Sequence, residues 1–82
     1  MQNRFKINVF VWPNPASNEI NVQTSVSNQT YVLFDNSGRE IGFGKLNQGS
    51  NKLMVDQLAS GNYILTIKNN DAIKNFKITV IK

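Results

Sequence analysis

Carboxylates are the side chains in this sequence best suited to serve as acid–base or metal-binding groups. The chain contains neither histidine nor cysteine, which removes the usual zinc ligands, the commonest neutral-pH base and the thiol nucleophile. The carboxylates that remain are Glu19, Asp35, Glu40, Asp56 and Asp71. Most lie at predicted strand ends or turns, where an Asp side chain bonds nearby backbone N–H groups. We therefore expect no catalytic residue, no metal site, no cofactor and no enzymatic activity.

The length of the chain limits what could position such groups. Eighty-two residues support one small domain, because a chain of this size buries only roughly 60–65% of the surface exposed when unfolded. We predict a single domain over residues 1–82, with its core from about residue 9 and residues 1–8 as a leading strand or the end of a linker. No apolar run approaches the ~18 residues that span a bilayer, so direct membrane insertion is not expected.

Apolar and polar residues alternate along most of the chain, which predicts β-strands. Strands are expected over residues 5–11, 19–24, 31–34, 41–44, 51–55, 63–67 and 73–81. Two prolines restrict the loop over residues 12–18, and Gly38 can take the positive φ of a tight hairpin turn. Gly42 and Gly44 predict a bend, a bulge or the close approach of another backbone at the fourth strand. Seven short strands are best accommodated in an all-β, antiparallel, immunoglobulin-like β-sandwich.

The alternation also predicts which side chains form the core of this sandwich. Each fully buried apolar side chain contributes roughly 1.5–3 kcal/mol, so the sum of many is needed to offset the entropy of ordering the chain. The predicted core residues are Ile7, Val9, Ile20, Val22, Leu33, Ile41, Leu53, Leu58, Tyr63, Leu65, Ile67, Phe76, Ile78 and Val80.

Basic residues concentrate toward the end of the chain. The net charge is +4, and Lys68, Lys74, Lys77 and Lys82 lie in the final stretch. These lysines are either solvated strand faces that discourage sheet-to-sheet aggregation or a docking face for an acidic or anionic partner. A nucleic-acid partner is not expected, because the sequence has only two dispersed arginines and no aromatics interleaved with a basic cluster.

Four segments have the character of motifs. Residues 11–22 place Pro-Asn-Pro before a strand, and residues 32–41 place Asp and then Gly-Arg after an apolar strand. Residues 58–65 read Leu-x-x-Gly-x-Tyr, and residues 76–82 form a strand that ends in lysine. In this order and spacing, the segments resemble the type A C-terminal sorting domain of the type IX secretion system of Bacteroidetes. The resemblance runs from about Val9 to Lys82.

The resemblance implies a secretion signal that is read in its folded form. In this family, a separate signal peptide brings the protein to the periplasm, and the outer-membrane translocon then recognises the C-terminal domain. A surface sortase commonly removes the domain and joins the passenger to lipopolysaccharide or releases it. The resemblance therefore implies that the chain is a monomer, joined to an N-terminal passenger absent from this chain. It would be located in the periplasm in transit to the outer-membrane surface or the extracellular medium.

The resemblance also singles out individual residues. Candidates for recognition are Pro13, Asn14, Pro15, Gly61, Asn62, Tyr63 and Lys82, with Trp12 as an anchor. The two prolines either only rigidify their loop or also contribute to recognition. Gly61 suits a turn, and Tyr63 suits core packing with its hydroxyl at the rim. Lys82 is either a solvated residue or a group that a receptor grips, and Trp12 is either a lid on the core or an exposed anchor.

Two other functions remain open for a sandwich of this kind. A carbohydrate- or adhesin-type binding domain would present a row of exposed aromatics, whereas most aromatics here fall in strand positions that predict burial. A structural spacer is the other alternative.

Overall fold

The described part of the chain is built from seven β-strands, as the alternation predicts. The computed structural model describes residues 9–70 and 72–82. Its strands are β1 (Val9–Trp12), β2 (Glu19–Thr24), β3 (Gln29–Phe34), β4 (Glu40–Leu46), β5 (Gly49–Met54), β6 (Gly61–Lys68) and β7 (Ile73–Val80). The predicted leading strand over residues 5–8, and the core candidate Ile7 within it, lie outside the described residues. No helix that could cross a membrane occurs in the described part of the chain.

The strands form two sheets. One contains β1, β2 and β5 in the order β1-β2-β5, and the other has the order β4-β3-β6-β7. Every pairing within these sheets is antiparallel. In the constant-type immunoglobulin arrangement the fourth strand joins the sheet of the first, second and fifth, whereas here β4 pairs with β3. The predicted antiparallel immunoglobulin-like sandwich is confirmed, with β4 in the larger sheet.

The core lies between the sheets. Its buried apolar members are Val9, Ala16, Ile20, Val22, Leu46, Val55, Tyr63, Leu65, Ile67, Ile78 and Val80, with Val11, Tyr31, Leu33, Leu53, Leu58, Ala72 and Phe76 packed against them. Alternation correctly predicted the inward faces of β2, β6 and the second half of β7. The buried apolar residues that it missed are Ala16, in a loop, and Leu46, at a strand end, where the alternation stops. Val55, which alternates with Leu53 and is therefore expected to face inward, is buried as well.

Ile41 is the core prediction that is wrong. Its side chain is 36% exposed, because the register between β3 and β4 shifts beside it. Leu33 pairs with Gly42 and Phe34 pairs with Glu40, so Ile41 has no partner of its own on β3. It lies on an edge strand, where it lines one side of a small cavity together with the core residues Leu33 and Leu53.

The predicted bulge is present beside Gly42, whereas the group that approaches Gly44 is a side-chain ring and not another backbone. Gly42 adjoins the register shift, and Gly44 lies beneath the ring of Tyr31. A Cβ atom at Gly44 would lie 2.8 Å from Cε2 of Tyr31, so the absence of a side chain makes room for that ring on the inner face of the sheet.

Candidate functional site

The Pro-Asn-Pro segment lies along the outer edge of β7. The peptide bonds before Pro13 and Pro15 are both cis, and neither proline has a backbone N–H to donate. The side chain of Asn14 pairs with the strand instead. Its Nδ2 donates to the Lys77 carbonyl oxygen at 2.8 Å, and its Oδ1 accepts from the Thr79 N–H at 3.0 Å. The amide of Asn14 therefore takes the place that a peptide group of a neighbouring strand would have.

Ala16 continues this pairing with ordinary backbone groups. Its N–H donates to the Thr79 carbonyl oxygen, and its own carbonyl oxygen accepts from the Ile81 N–H, both at 2.8 Å. Ala16 is 1% exposed and forms a parallel bridge with Val80. The loop thus covers the outer edge of β7 from Lys77 to Ile81, which protects that edge from pairing with another chain.

The ammonium group of Lys82 is held by backbone carbonyls. Its Nζ donates to the carbonyl oxygens of Ser17 at 2.6 Å, Val55 at 3.1 Å and Asp56 at 3.0 Å. An ammonium group has three protons to donate, so these bonds use its full capacity. The Lys82 N–H also donates to Oγ of Ser60 at 2.9 Å. Although the residue as a whole is exposed, its charged group links the proline loop to the β5–β6 connection.

The Gly61-Asn62-Tyr63 segment opens β6 on the same side of the molecule. Tyr63 is 8% exposed, and its hydroxyl donates to the Ala59 carbonyl oxygen at 2.6 Å. A tyrosine near the start of the sixth strand that bonds back to the backbone before it is the tyrosine corner of immunoglobulin-like sandwiches. Asn62 accepts from the Thr79 hydroxyl at 3.1 Å, and Gly61 has a φ of 159°.

The β3–β4 hairpin is closed by Asp35. Its Oδ1 accepts from the Ser37 hydroxyl at 2.7 Å and from the N–H groups of Ser37 and Arg39 at 2.9 and 3.0 Å. Gly38 has a φ of 89°, as predicted for this turn. The hydrogen bond from the Ser37 hydroxyl, followed by that from the Arg39 N–H, holds the pKa of Asp35 below the ordinary value of an Asp carboxyl, because these bonds favour the charged carboxylate.

These segments meet at one end of the sandwich. A surface cleft is lined by residues 35–37 of the hairpin and residues 60–63 at the start of β6. Ser60 contacts Lys82, and Asn62 contacts Thr79, which in turn binds Asn14. We name this region the motif end, formed by residues 13–18, 35–39, 55–63 and 77–82. The structure thus places the predicted recognition residues in one hydrogen-bonded region, with the exposed prolines on either side of Asn14.

The motif end also depends on residues that the sequence did not single out. Thr79 and Ser60 connect its parts through the bonds described above. Val55 and Ser17 contribute backbone oxygens to Lys82. Because every residue has a backbone oxygen, the residue types at these positions could not indicate which oxygens bind Lys82. For Thr79, the sequence indicates only an outward position on a strand.

Trp12 lies apart from this network, on the outer face of the three-stranded sheet. Trp12 is 43% exposed and Phe10 is 65% exposed on the same face of β1, while Phe43 is 73% exposed on the other sheet. Trp12 is therefore an exposed residue rather than a lid on the core. The prediction that the aromatics are mostly buried is wrong for these positions, and among the described aromatics only Tyr63 is buried.

The chemistry available at the motif end is that of hydrogen bonding and shape. Asp35 is paired with Arg39, whose Nε lies 3.4 Å from Oδ2. Elsewhere, Glu19 lies 3.7 Å from the Lys52 ammonium. Within residues 9–70 and 72–82, no group of three acidic side chains is placed to hold a metal ion. What the motif end offers a partner is therefore a fixed backbone and a polar cleft.

Comparison with known proteins agrees with the motifs. The family model of the secretion system C-terminal sorting domain matches residues 10–82, whereas no curated protein matches the sequence. The matched range contains all seven strands apart from the first residue of β1, together with the whole motif end. Sorting domains of this family direct a protein to the cell surface or the extracellular medium through the type IX secretion machinery. This chain belongs to the family of type IX secretion C-terminal sorting domains.

Proposed function

We propose that the outer-membrane translocon of type IX secretion recognises this chain as a folded unit through the motif end. The observation that supports this most is a pair of long-range links: Asn14 binds Thr79, and Lys82 binds the carbonyl oxygen of Ser17. The two partners of each link are 65 positions apart in the sequence, so they are adjacent only in the folded chain. A receptor that reads them together distinguishes a folded cargo from an unfolded one.

A surface sortase then cleaves the chain from a passenger on its N-terminal side. In this step the chain is a substrate, and the catalytic groups belong to the sortase. The family membership supports this proposal, because the signal has served its purpose once the passenger has crossed the outer membrane. The domain acts in the periplasm during transit and at the cell surface at the moment of cleavage.

Surface display of a reporter tests recognition. A signal peptide and a fluorescent protein are fused before residues 1–82 in a bacterium with an active type IX system. We expect surface fluorescence from the natural sequence and at least a tenfold lower signal from Asn14→Ala and Lys82→Met. The matched controls Asn47→Ala and Lys74→Met change exposed residues outside the motif end whose side chains make no hydrogen bond within the described residues, and they should retain the signal.

Each outcome of the display experiment bears on a different part of the proposal. Absence of display of the natural sequence would contradict a sorting function. Full display of both motif-end variants would contradict recognition through this end. The mass of the surface reporter tests cleavage, because a reporter that keeps all of residues 1–82 is not a sortase product.

A carbohydrate-binding function is a second candidate, supported by the aromatics on β1. Phe10 and Trp12 share one exposed face, and their cross-strand neighbours Gln23 and Asn21 supply amide groups beside them. Sugars are bound by aromatic faces together with polar groups of this type. Retention of the purified chain on a polysaccharide column, abolished by Trp12→Ala, would support this function, and elution without retention would contradict it.

A further inference from the structure

The outer face of the four-stranded sheet is apolar where alternation calls for polar side chains. In an antiparallel sheet with one face on the core, the other face is normally hydrophilic. Here the outward positions of three adjacent strands include four neighbouring apolar residues, Val32, Phe34, Phe43 and Ile64, which we name the Phe43 face. Phe43 is 73% exposed and Ile64 is 38% exposed.

The side chains of the Phe43 face form one continuous surface. Val32 pairs across strands with Phe43, and Phe34 pairs with Ile64. Directly paired side chains in antiparallel sheets lie within about 4.5–5.5 Å at their Cβ atoms, so each pair is in contact range. A shallow groove over Phe34 and Ile64 runs on to Asn62 and the Asp35 hairpin, which joins this face to the motif end. A contiguous exposed apolar patch of this kind marks an interaction surface.

Lysines surround the Phe43 face. Lys77 pairs with Ile64, and Lys45 and Lys68 both pair with Thr30 on the far side of Val32. None of these three lysines forms an ion pair within the described residues. The acidic residue nearest to the face by register is Glu40, opposite Phe34. The rim is therefore predominantly positive.

We propose that the Phe43 face docks onto a protein surface of the secretion machinery that has an apolar centre and acidic residues around it. The apolar centre follows from the exposed aliphatic and aromatic side chains, and the acidic rim follows from charge complementarity with the lysines. A second copy of this chain does not fit, because pairing two Phe43 faces would bring lysine against lysine. This inference rests on the sorting function proposed above and adds a second contact surface beside the motif end.

The display reporter tests this surface with matched variants. The double variant Phe43→Thr/Ile64→Thr removes the apolar centre, and Lys45→Glu/Lys68→Glu reverses the rim without touching the core. The control is Met54→Thr, a residue that is 60% exposed on the other sheet. We expect each double variant to lower surface display at least tenfold, while Met54→Thr stays within twofold of the natural sequence and melting temperatures change by only a few degrees.

The outcomes separate this inference from the proposed function. Absence of display of the natural sequence would contradict the sorting function itself. Display of the natural sequence together with normal display of Phe43→Thr/Ile64→Thr would overturn the Phe43 face alone. Normal display of Lys45→Glu/Lys68→Glu would overturn the acidic rim of the partner.

Two measurements on the purified 82-residue chain address other occupants of the face. Binding to vesicles containing anionic phospholipid that is lost in Phe43→Thr/Ile64→Thr would overturn a protein partner in favour of a membrane surface. Sedimentation that reveals a dimer dependent on the same residues would overturn it in favour of a second copy. A monomer that does not bind vesicles is the result that we expect. Because the reporter replaces any natural passenger, a display defect in these variants also excludes the passenger as the occupant.

Discussion

At the residue scale, Lys82 and Asn14 have a structural role before any role in recognition. Both side chains are fully engaged with backbone groups of distant segments. A partner that approaches the motif end therefore meets a loop and a strand held in place by these two residues. Changes at either position will act on stability and on recognition together, so both quantities have to be measured for the same variant.

Lys82→Met should lower the stability of the chain. The substitution keeps the aliphatic part of the side chain but removes three hydrogen bonds to carbonyl oxygens. Because each exposed hydrogen bond contributes only about 0.5–1.5 kcal/mol and the bonds are not additive, we expect a loss of about 1–2 kcal/mol. Urea denaturation measures it. Lys74→Met is the control, and equal stabilities of the two variants would mean that the Lys82 bonds contribute nothing.

Asn14→Ala should loosen the outer edge of β7. The variant leaves the Lys77 carbonyl oxygen and the Thr79 N–H without their side-chain partner, at a cost of about 1–2 kcal/mol. Amide hydrogen exchange locates the effect. The Thr79 amide should exchange faster than in the natural sequence, whereas the amides of β2 should lose protection only as far as the lower global stability requires. Unchanged exchange at Thr79 would show that the side chain of Asn14 does not protect this edge.

At the element scale, the β3–β4 hairpin depends on a single carboxylate. Asp35 binds the backbone of the turn on both sides of Gly38 and is paired with Arg39. The hairpin borders the cleft of the motif end. The ionisation state of Asp35 therefore affects the shape of the motif end.

The stability of the hairpin should depend on acid pH. The pKa of Asp35 is lower in the folded chain than that of an ordinary Asp carboxyl, which titrates at about 3.9 in an unfolded chain. The ionised group therefore stabilises the fold fully above about pH 4, and this contribution is lost as the pH falls through the folded-state pKa. Carbon NMR of the Asp35 carboxyl should give a lower midpoint in the folded chain than in the chain unfolded by urea. Asp35→Asn should flatten the acid side of the stability profile, and equal midpoints in the two states would contradict the hydrogen bonds described.

At the scale of the whole molecule, β7 belongs both to the core and to the motif end. Ile78 and Val80 are each 1% exposed, while the outward groups of the same strand bind Asn14, Ala16 and Asn62. A change that displaces β7 from the motif end therefore also disturbs the core, and the reverse holds as well. Function and folding are thus coupled through the last strand.

Deletion of residues 78–82 should unfold the chain. Burial of Ile78 and Val80 contributes roughly 1.5–3 kcal/mol each, and a domain of this size has only about 5–10 kcal/mol of total stability. The loss of their strand pairing and of the Lys82 bonds adds to this. Amide NMR spectra should lose dispersion for this deletion and keep it when Lys82 alone is removed. A dispersed spectrum of the longer deletion would contradict the role of β7 in the core.

The consequence for secretion experiments is direct. A long deletion at the end of the chain would abolish sorting through unfolding, whatever the receptor contacts. Point variants such as Lys82→Met, with stability measured in parallel, separate the two effects.

Local patterns in the sequence were enough to predict the elements. The alternation through Ile20 and Val22, or through Leu65 and Ile67, predicted strands and their buried faces because strand side chains have a period of two. Asp35 and Gly38 predicted the hairpin because the residue types within a tight turn determine its backbone conformation. Ile41 was misplaced because a bulge shifts the face of a strand, and the position of a bulge depends on the partner strand.

The sequence by itself therefore determined an all-β chain with seven strands, the hairpin turn and most of the core, since each of these depends on neighbouring residues. Only the tertiary structure decided that β4 pairs with β3, that Asn14 and Lys82 bind backbone groups far away in sequence, and that Phe43 and Trp12 are exposed. These features depend on how strands are paired and how the two sheets are stacked, which residue spacing along one strand does not encode.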